Sequence, residues 1–350
     1  MIDSIIVKNS TKQGYNHKKS KKVCEDYSDS FSDKDMRIIV VADGHGSNNY
    51  PRAQWGSRFA VSSALKMIKD FINDVDPSVV NPSDSSHIST RAQTDLFRQL
   101  EASILKHWHS KVNAHFNKNP LSEKELESVS EKHKEQYLKG EKIAKAYGTT
   151  LIAFAITEKY SFGLQIGDGL CVTFDDQLSA NTPIPEDEKC FLNVTTSICD
   201  DDAIDEFRHC VYTDYPTAVF LGTDGIDDSY SSKEQLFEVY KSMLSLYTKY
   251  DEKKANTEIK KYLPTISKKG SGDDVSIAYA INLTKLNEFK DTFEDNDSDI
   301  SKNNAKLNNE SNRTEVIETI DESDNPNNSL DDNDSQEKIP FGFDEYSDWK

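Results

Sequence analysis

Runs of apolar residues change period several times along this chain, and each change predicts an element. Residues 4–8 and 36–42 are β-branched, apolar and of strand length, and the second run leads directly into Asp43-Gly44-His45-Gly46. Between residues 52 and 73, Trp55, Phe59, Leu65, Ile68 and Ile72 recur near helical spacing, which predicts an amphipathic helix. Residues 76–89, rich in Pro, Ser and Asp, read as a surface loop. Residues 94–117 and the highly charged 122–146 read as two further helices that cover the core rather than form it. The period then shortens to that of sheet. Residues 149–156, 161–166 and 170–174 read as consecutive strands of a meander, with turns at Glu158-Lys159 and Gly167-Asp168-Gly169. Residues 175–215 are irregular and acidic. A buried strand at 218–222, helices at 232–247 and 256–267, and a last strand at 275–281 complete the pattern. Strands interrupted by helices without regular β-α-β alternation point to a layered α+β domain, and no internal repeat is apparent.

Composition changes this picture at one place. With 35% hydrophobic residues and a formal charge of -19 over 350 residues, the chain is too polar to pack along its whole length. Residues 286–350 hold 19 acidic and 6 basic side chains, a net of -13, leaving -6 for the first 285. The expected organisation is therefore a domain over 1–285 and an acidic, Asn/Asp/Ser-rich disordered tail over 286–350. The tail ends in Ile339-Pro340-Phe341-Gly342-Phe343 and an aromatic stretch from Tyr346 to Trp349, which reads as a short docking peptide. Its charge suggests regulation of the domain or recruitment of basic partners. No apolar stretch reaches about 18 residues, and no secretory signal pattern opens the chain, so neither a membrane partner nor secretion is expected. Five cysteines, odd in number and without a Cys-x-x-Cys pair, suggest neither a disulfide framework nor a zinc knuckle and fit a reducing cytoplasm. The negative charge argues against nucleic acid as a partner. A monomer is expected.

The candidate chemistry lies in acidic residues that fall repeatedly beside turn residues at strand ends. These are Glu25-Asp26, Asp43-Gly44-His45-Gly46, Gly167-Asp168-Gly169, Thr223-Asp224-Gly225-Ile226-Asp227-Asp228 and Gly272-Asp273-Asp274. Any one of them is an ordinary turn sequence. A carboxylate that directly follows a buried strand, as Asp43 and Asp224 do, is different: it is desolvated unless something cationic meets it. Several at one sheet edge would repel each other without a metal, and oxygen-only ligands suit Mg²⁺ or Mn²⁺ rather than zinc.

In order and wording these motifs resemble the metal-dependent protein phosphatase family known as PP2C. The matching residues are Glu25-Asp26, Asp43-Gly44-His45-Gly46, Gly148-Thr149-Thr150, Gly167-Asp168, Asp224-Gly225-Ile226-Asp227-Asp228 and Asp273-Asp274-Val275-Ser276, spanning roughly residues 1–283. The resemblance, closest to the family's divergent bacterial branch, implies a four-layer α-β-β-α sandwich of two antiparallel sheets flanked by helices. It implies hydrolysis of phosphoserine and phosphothreonine proteins by a hydroxide shared between two Mn²⁺ or Mg²⁺ ions, without a phosphoenzyme, opposite a cognate serine/threonine kinase. Carried over residue by residue, it implies that Asp43 bridges both ions, that the Gly44 carbonyl binds one, and that Asp224 and Asp273 bind the other. Glu25, Asp26 and Asp228 would hold metal-bound waters, Asp168 with Asp224 would hold a weaker third ion, and His45 would protonate the leaving oxygen as a general acid. Lys21 stands where many members carry a phosphate-gripping Arg, which leaves substrate phosphate to Lys21, to His17 or to the metals. Cys24, Ser47 and Asp274 also depart from the pattern, and an inert small residue is the expected reading of Cys24. Two rivals are a catalytically inactive binding module of the same fold and an unrelated metal-dependent phosphoesterase such as a nuclease.

Overall fold

The computed structural model describes residues 2–81, 87–190 and 195–293. Ten strands are present among them: β1 (Ile5–Lys12), β2 (Tyr27–Ser32), β3 (Met36–Ala42), β4 (Leu151–Thr157), β5 (Ser161–Ile166), β6 (Leu170–Phe174), β7 (Ala180–Asn181), β8 (Arg208–Tyr212), β9 (Ala218–Gly222) and β10 (Val275–Asn282). They form two five-stranded antiparallel sheets, one in the order β1-β10-β9-β6-β7 and the other β2-β3-β4-β5-β8. The long helices are α1 (Ala53–Asp74), α2 (His87–Lys118), α3 (Lys233–Lys249) and α4 (Glu252–Lys269).

Why the sheets face each other follows from period-two alternation in strands that are largely apolar on both faces. In β3, Ile38 and Val40 pack toward α1 and α2, whereas Ile39 and Val41 point the other way. In β9, Phe220 packs toward α3 and α4, and Val219 and Leu221 point the other way. Ile39, Val41, Ile152, Phe154, Val219, Leu221 and Ala278 thereby meet in a core between the sheets, and each outer face is closed by a helix pair. The architecture is the α+β sandwich expected, with layers α-β-β-α.

Several local expectations are corrected. The chain crosses from one sheet to the other between β5 and β6, so the predicted meander is broken at its second turn. Gly167 (φ +93°) and Gly169 (φ +80°) permit that crossing, since their left-handed backbone suits glycine. Helix α2 begins at His87, and its Phe97, Leu100, Ile104, Trp108 and Val112 are buried in the core rather than laid over it. Residues 122–146 are not one helix. Ser122 starts a single turn (Glu123–Leu126) with a capping box to Glu125, Glu131–Leu138 follows, and Gly140 at φ +71° turns the chain away before a 3-10 segment, Ile143–Tyr147. The loop predicted at 76–89 contains a one-turn helix, Pro77–Val80, capped by Asp76.

Strands β2 and β8 were not predicted. Both are sheet edges, only partly buried, and neither carries the apolar run by which the interior strands are read. Packed structure also extends beyond residue 285: Leu286 is fully buried, and Phe289 and Phe293 pack against the α3/α4 side. The expectations for the acidic tail and its aromatic end fall on residues 294–350, outside the described residues. No helix among the described residues is long and apolar enough to cross a membrane.

Candidate metal centre

Antiparallel pairing explains how acids far apart in sequence meet. The ends of β3, β5 and β9 lie at the same end of the sandwich as the starts of β2, β4, β6 and β10: Tyr27 pairs with Ala42, Leu151 with Ile166, and Gly222 with both Leu170 and Ile277. All five acidic clusters occupy turns at that end. They line one cavity of about 660 Å³ that takes in Glu25, Asp43, Asp168, Asp224, Asp228 and Asp273 together with Gly44 and His45.

The Gly148-Thr149-Thr150 segment holds the loop after β3. The Thr149 hydroxyl (2.7 Å) and the Thr150 N–H (2.8 Å) both donate to the Asp43 carbonyl, the Asp43 N–H donates to Thr150 Oγ1 (3.1 Å), and the His45 N–H donates to the Gly148 carbonyl (3.1 Å). Asp224 opens a one-turn helix, Asp224–Asp227, which presses against the β10 entry so closely that a Cβ on Gly225 would stand 1.9 Å from the Asp274 carbonyl oxygen. Thr223, just before it, donates from its hydroxyl to Asp26 Oδ2 (2.8 Å) and accepts from the Ser276 N–H (3.0 Å), tying β2, β9 and β10 together.

Ligand oxygens of Asp43, Asp168 and Asp224 all lie within 4.8 Å of one another. Burial, then the facing Asp224 and Asp26, push Asp43 well above the usual carboxylate range. Burial and Asp274 do the same to Asp26, and burial raises Asp168. Asp224 is pushed up to about 7 by burial, with Asp168, Asp273 and Asp228 adding repulsion. Glu25 also reaches about 7, because burial outweighs its ion pair with Lys22 (2.6 Å). One oxygen of Asp227 is buried without a hydrogen-bond donor. Clustered carboxylates in this state fit hard divalent cations, which would replace the missing water and cancel the repulsion.

The other predicted residues divide. Asp273 lines the cavity but is half exposed and stands 3.4 Å from His17 Nε2. Asp274, where the family pattern has Asn, is a clamp. Its carboxylate accepts from the Gly14 N–H (2.6 Å) and the Glu25 N–H (2.6 Å) and stands 2.9 Å from His17 Nδ1. Burial pushes Asp274 up, and these partners outweigh it and hold the carboxyl below its ordinary value. His17 is raised in turn, chiefly by its hydrogen bond to Asp274, so it is engaged with acids rather than free for phosphate. Lys21 is exposed, at φ +58° where the short helix Tyr15–Ser20 ends, and does not line the cavity. The neighbouring Lys22 reaches the rim instead, donating to the Gly46 carbonyl (2.6 Å) and pairing with Glu25. His45 lines the cavity and packs edge-on against Tyr50, and burial lowers it to about 4. Burial pushes the Cys24 thiol up, as an inert residue requires. Sequence reasoning missed the clamp role of Asp274, the reach of Lys22 and the Asp227 oxygen. For Asp227 the signal was available, since it stands one residue before Asp228 in the same turn.

The family profile described as Protein phosphatase 2C matches residues 13–264. No curated protein matches the sequence directly. Among solved structures, a serine/threonine phosphatase of S. agalactiae is 15% identical over 79% of this chain and 99% of that one, with a TM-score of 0.46. The catalytic domain of the serine threonine protein phosphatase PstP, in complex with 2 manganese ions, is 12% identical over 79% and 97%, with a TM-score of 0.45. A C. elegans sex determining protein is 17% identical over 81% and 67%, with a TM-score of 0.47.

Proposed function

This chain belongs to the protein phosphatase 2C family of protein serine/threonine phosphatases, and from that premise we propose that it hydrolyses phosphoserine and phosphothreonine in proteins using Mn²⁺ or Mg²⁺ held by its clustered aspartates. The observation that carries the reading is the convergence of Asp43, Asp168 and Asp224, all with raised pKa, in one cavity with Asp273. In this reading Asp43, Asp224 and Asp273, with the Gly44 carbonyl, hold two ions. Glu25, Asp26 and Asp228 hold waters around them, and Asp168 with Asp224 offers a third, weaker position. Divalent cations held there would lower the pKa of a bound water and offset charge on the transferring phosphoryl group.

The remaining work falls to the chain itself. The Thr149 and Thr150 hydrogen bonds keep Asp43 at its post, so the ligand set is organised before substrate arrives. Lys22, anchored on the Gly46 carbonyl, sets a positive charge at the rim where a phosphate would enter. His45, in the turn beside Asp43 and lining the cavity, is the proposed proton donor to the leaving oxygen. The metal identity, the opposing serine/threonine kinase and a cytoplasmic setting belong to the same proposal.

The test is hydrolysis of p-nitrophenyl phosphate and of a phosphothreonine peptide with Mn²⁺, against single-stranded DNA as control substrate. Turnover of the two phosphomonoesters, abolished by EDTA and by Asp43→Asn, is expected. Cleavage of DNA alone, or undiminished turnover in the variant, would overturn the proposal.

A further inference from the structure

The cavity floor is acidic, but one rim carries the opposite charge. The Asn16 N–H donates to the Gly272 carbonyl (2.9 Å) and the Tyr15 N–H to Ser267 Oγ (2.8 Å), which sets the short helix Tyr15–Ser20 beside the C-terminal end of α4. Exposed lysines from two segments distant in sequence are thereby brought together: Lys18, Lys19 and Lys21 from one, Lys268 from the other. The helix that carries the first group is fixed against the cavity at both ends. His17 meets Asp273 and Asp274, Lys22 meets Glu25 and Gly46, and all four partners line the cavity.

Many surface lysines sit on acids, as Lys66 on Asp70, Lys139 on Glu135 and Lys285 on Asp176, and others among the described residues, such as Lys106 and Lys132, are exposed without one; what marks this ledge is its place beside the cavity. Among the described residues Lys18, Lys21 and Lys268 have no carboxylate partner, and Lys19 lies over the Tyr15 ring at 4.2 Å. In a chain of net charge -19, these exposed amines form a local patch of positive charge beside the cavity. Their charge becomes favourable when a negative partner lies across them. The cavity is also lined by neutral Ser47, Tyr50 and Thr195.

We infer that this ledge selects phosphoprotein substrates bearing Asp or Glu beside the phosphorylated residue. The inference rests on the phosphatase reading and names the substrate class of the same site. A long polyanion such as nucleic acid fits less well, because beyond the ledge it would run over exposed Asp228 and half-exposed Asp273. An acidic phosphopeptide needs only a few contacts, with its phosphate over the cavity and its flanking carboxylates on the amines.

The test compares kcat/KM for two phosphothreonine peptides that differ only in flanking residues, acidic in one and basic in the other, with p-nitrophenyl phosphate as a substrate that cannot touch the ledge. The wild-type enzyme should prefer the acidic peptide about tenfold at low salt, and the ratio should fall toward one at about 0.5 M NaCl. The triple variant Lys18→Glu, Lys19→Glu, Lys268→Glu should bring the ratio to one or below without changing p-nitrophenyl phosphate turnover. The milder set of Gln substitutions at the same positions should fall between. Equal rates for the two peptides in the wild type, or a preference that survives the triple variant, would overturn the inference while leaving the phosphatase reading intact. Absence of p-nitrophenyl phosphate turnover in the wild type would sink that reading and this inference with it, so the two failures are told apart.

Discussion

Replacing Asp224 by Asn should make the metal-free protein more stable at pH 7.5, although a large cavity-lining ligand is being removed. Asp224 is raised to about 7 by burial and by the acids that face it. A raised carboxyl pKa means that the folded state holds the proton more tightly than the unfolded chain. The ionised side chain therefore destabilises the fold increasingly from about pH 4 up to about pH 7, and fully above. At full weight the displacement corresponds to about 4 kcal/mol. Asp43 and Asp168 share the proton and relax with it, so about half of that, ~2 kcal/mol, is the expected gain. For a domain of this size it amounts to a rise in melting temperature of about 4–8 °C. Saturating Mn²⁺ should invert the order. The wild type gains about 2.7 kcal/mol at a hundredfold excess over the dissociation constant, and the variant, short of one ligand, gains less. Differential scanning calorimetry in EDTA and in Mn²⁺, at pH 5.0 and 7.5, would read both effects, with the metal-free difference shrinking at the lower pH. A variant less stable than wild type in EDTA, or an equal Mn²⁺ shift in both proteins, would refute the reasoning.

Two further perturbations probe the scaffold. Arg52, almost fully buried, donates to both carboxylate oxygens of Glu125 (2.7 and 3.1 Å) and to Asn119, Pro120 and Tyr147. Glu125→Gln should cost ~2 kcal/mol in urea melts, below the usual range for a broken buried pair because Glu125 is itself partly exposed. Burial alone would raise Glu125, but Arg52 and Ser122 hold it down to about 2, so its contribution is complete above about pH 4.3 and lost as pH falls through 2. Wild-type and variant melts should converge in that window. Truncation after Phe293 should leave the melting temperature unchanged, whereas truncation after Lys285 removes buried Leu286 with Phe289 and Phe293 and should cost at least ~3 kcal/mol.

What could be read from sequence depended on how each residue is buried. β3, β9 and β10 are apolar on both faces and announce themselves, and the acids at their ends are legible because a carboxylate beside such a run is desolvated unless a cation meets it. β2 and β8 sit at sheet edges and lack that signature. The passage from β5 to β6 looks like a hairpin in sequence, because a Gly-Asp-Gly turn does not state which sheet receives the next strand. Which lysine reaches the cavity rim is set by backbone geometry, not by the motif. Lys21 takes the left-handed residue that ends its helix, which leaves Lys22 to face the cavity, and only backbone geometry decides that. Asp274 departs from the pattern's Asn, and it joins residues 14, 17 and 25, contacts that linear spacing cannot foretell.

The central claim, that aspartates distant along the chain jointly hold divalent cations, is tested most directly by counting Mn²⁺ in calorimetric titrations of the wild type, Asp43→Asn and Asp273→Asn. Asp273 is the sharper probe, being half exposed and drawn toward His17. Two ions bound by the wild type and fewer by each variant are expected; superimposable isotherms for all three proteins would contradict the account.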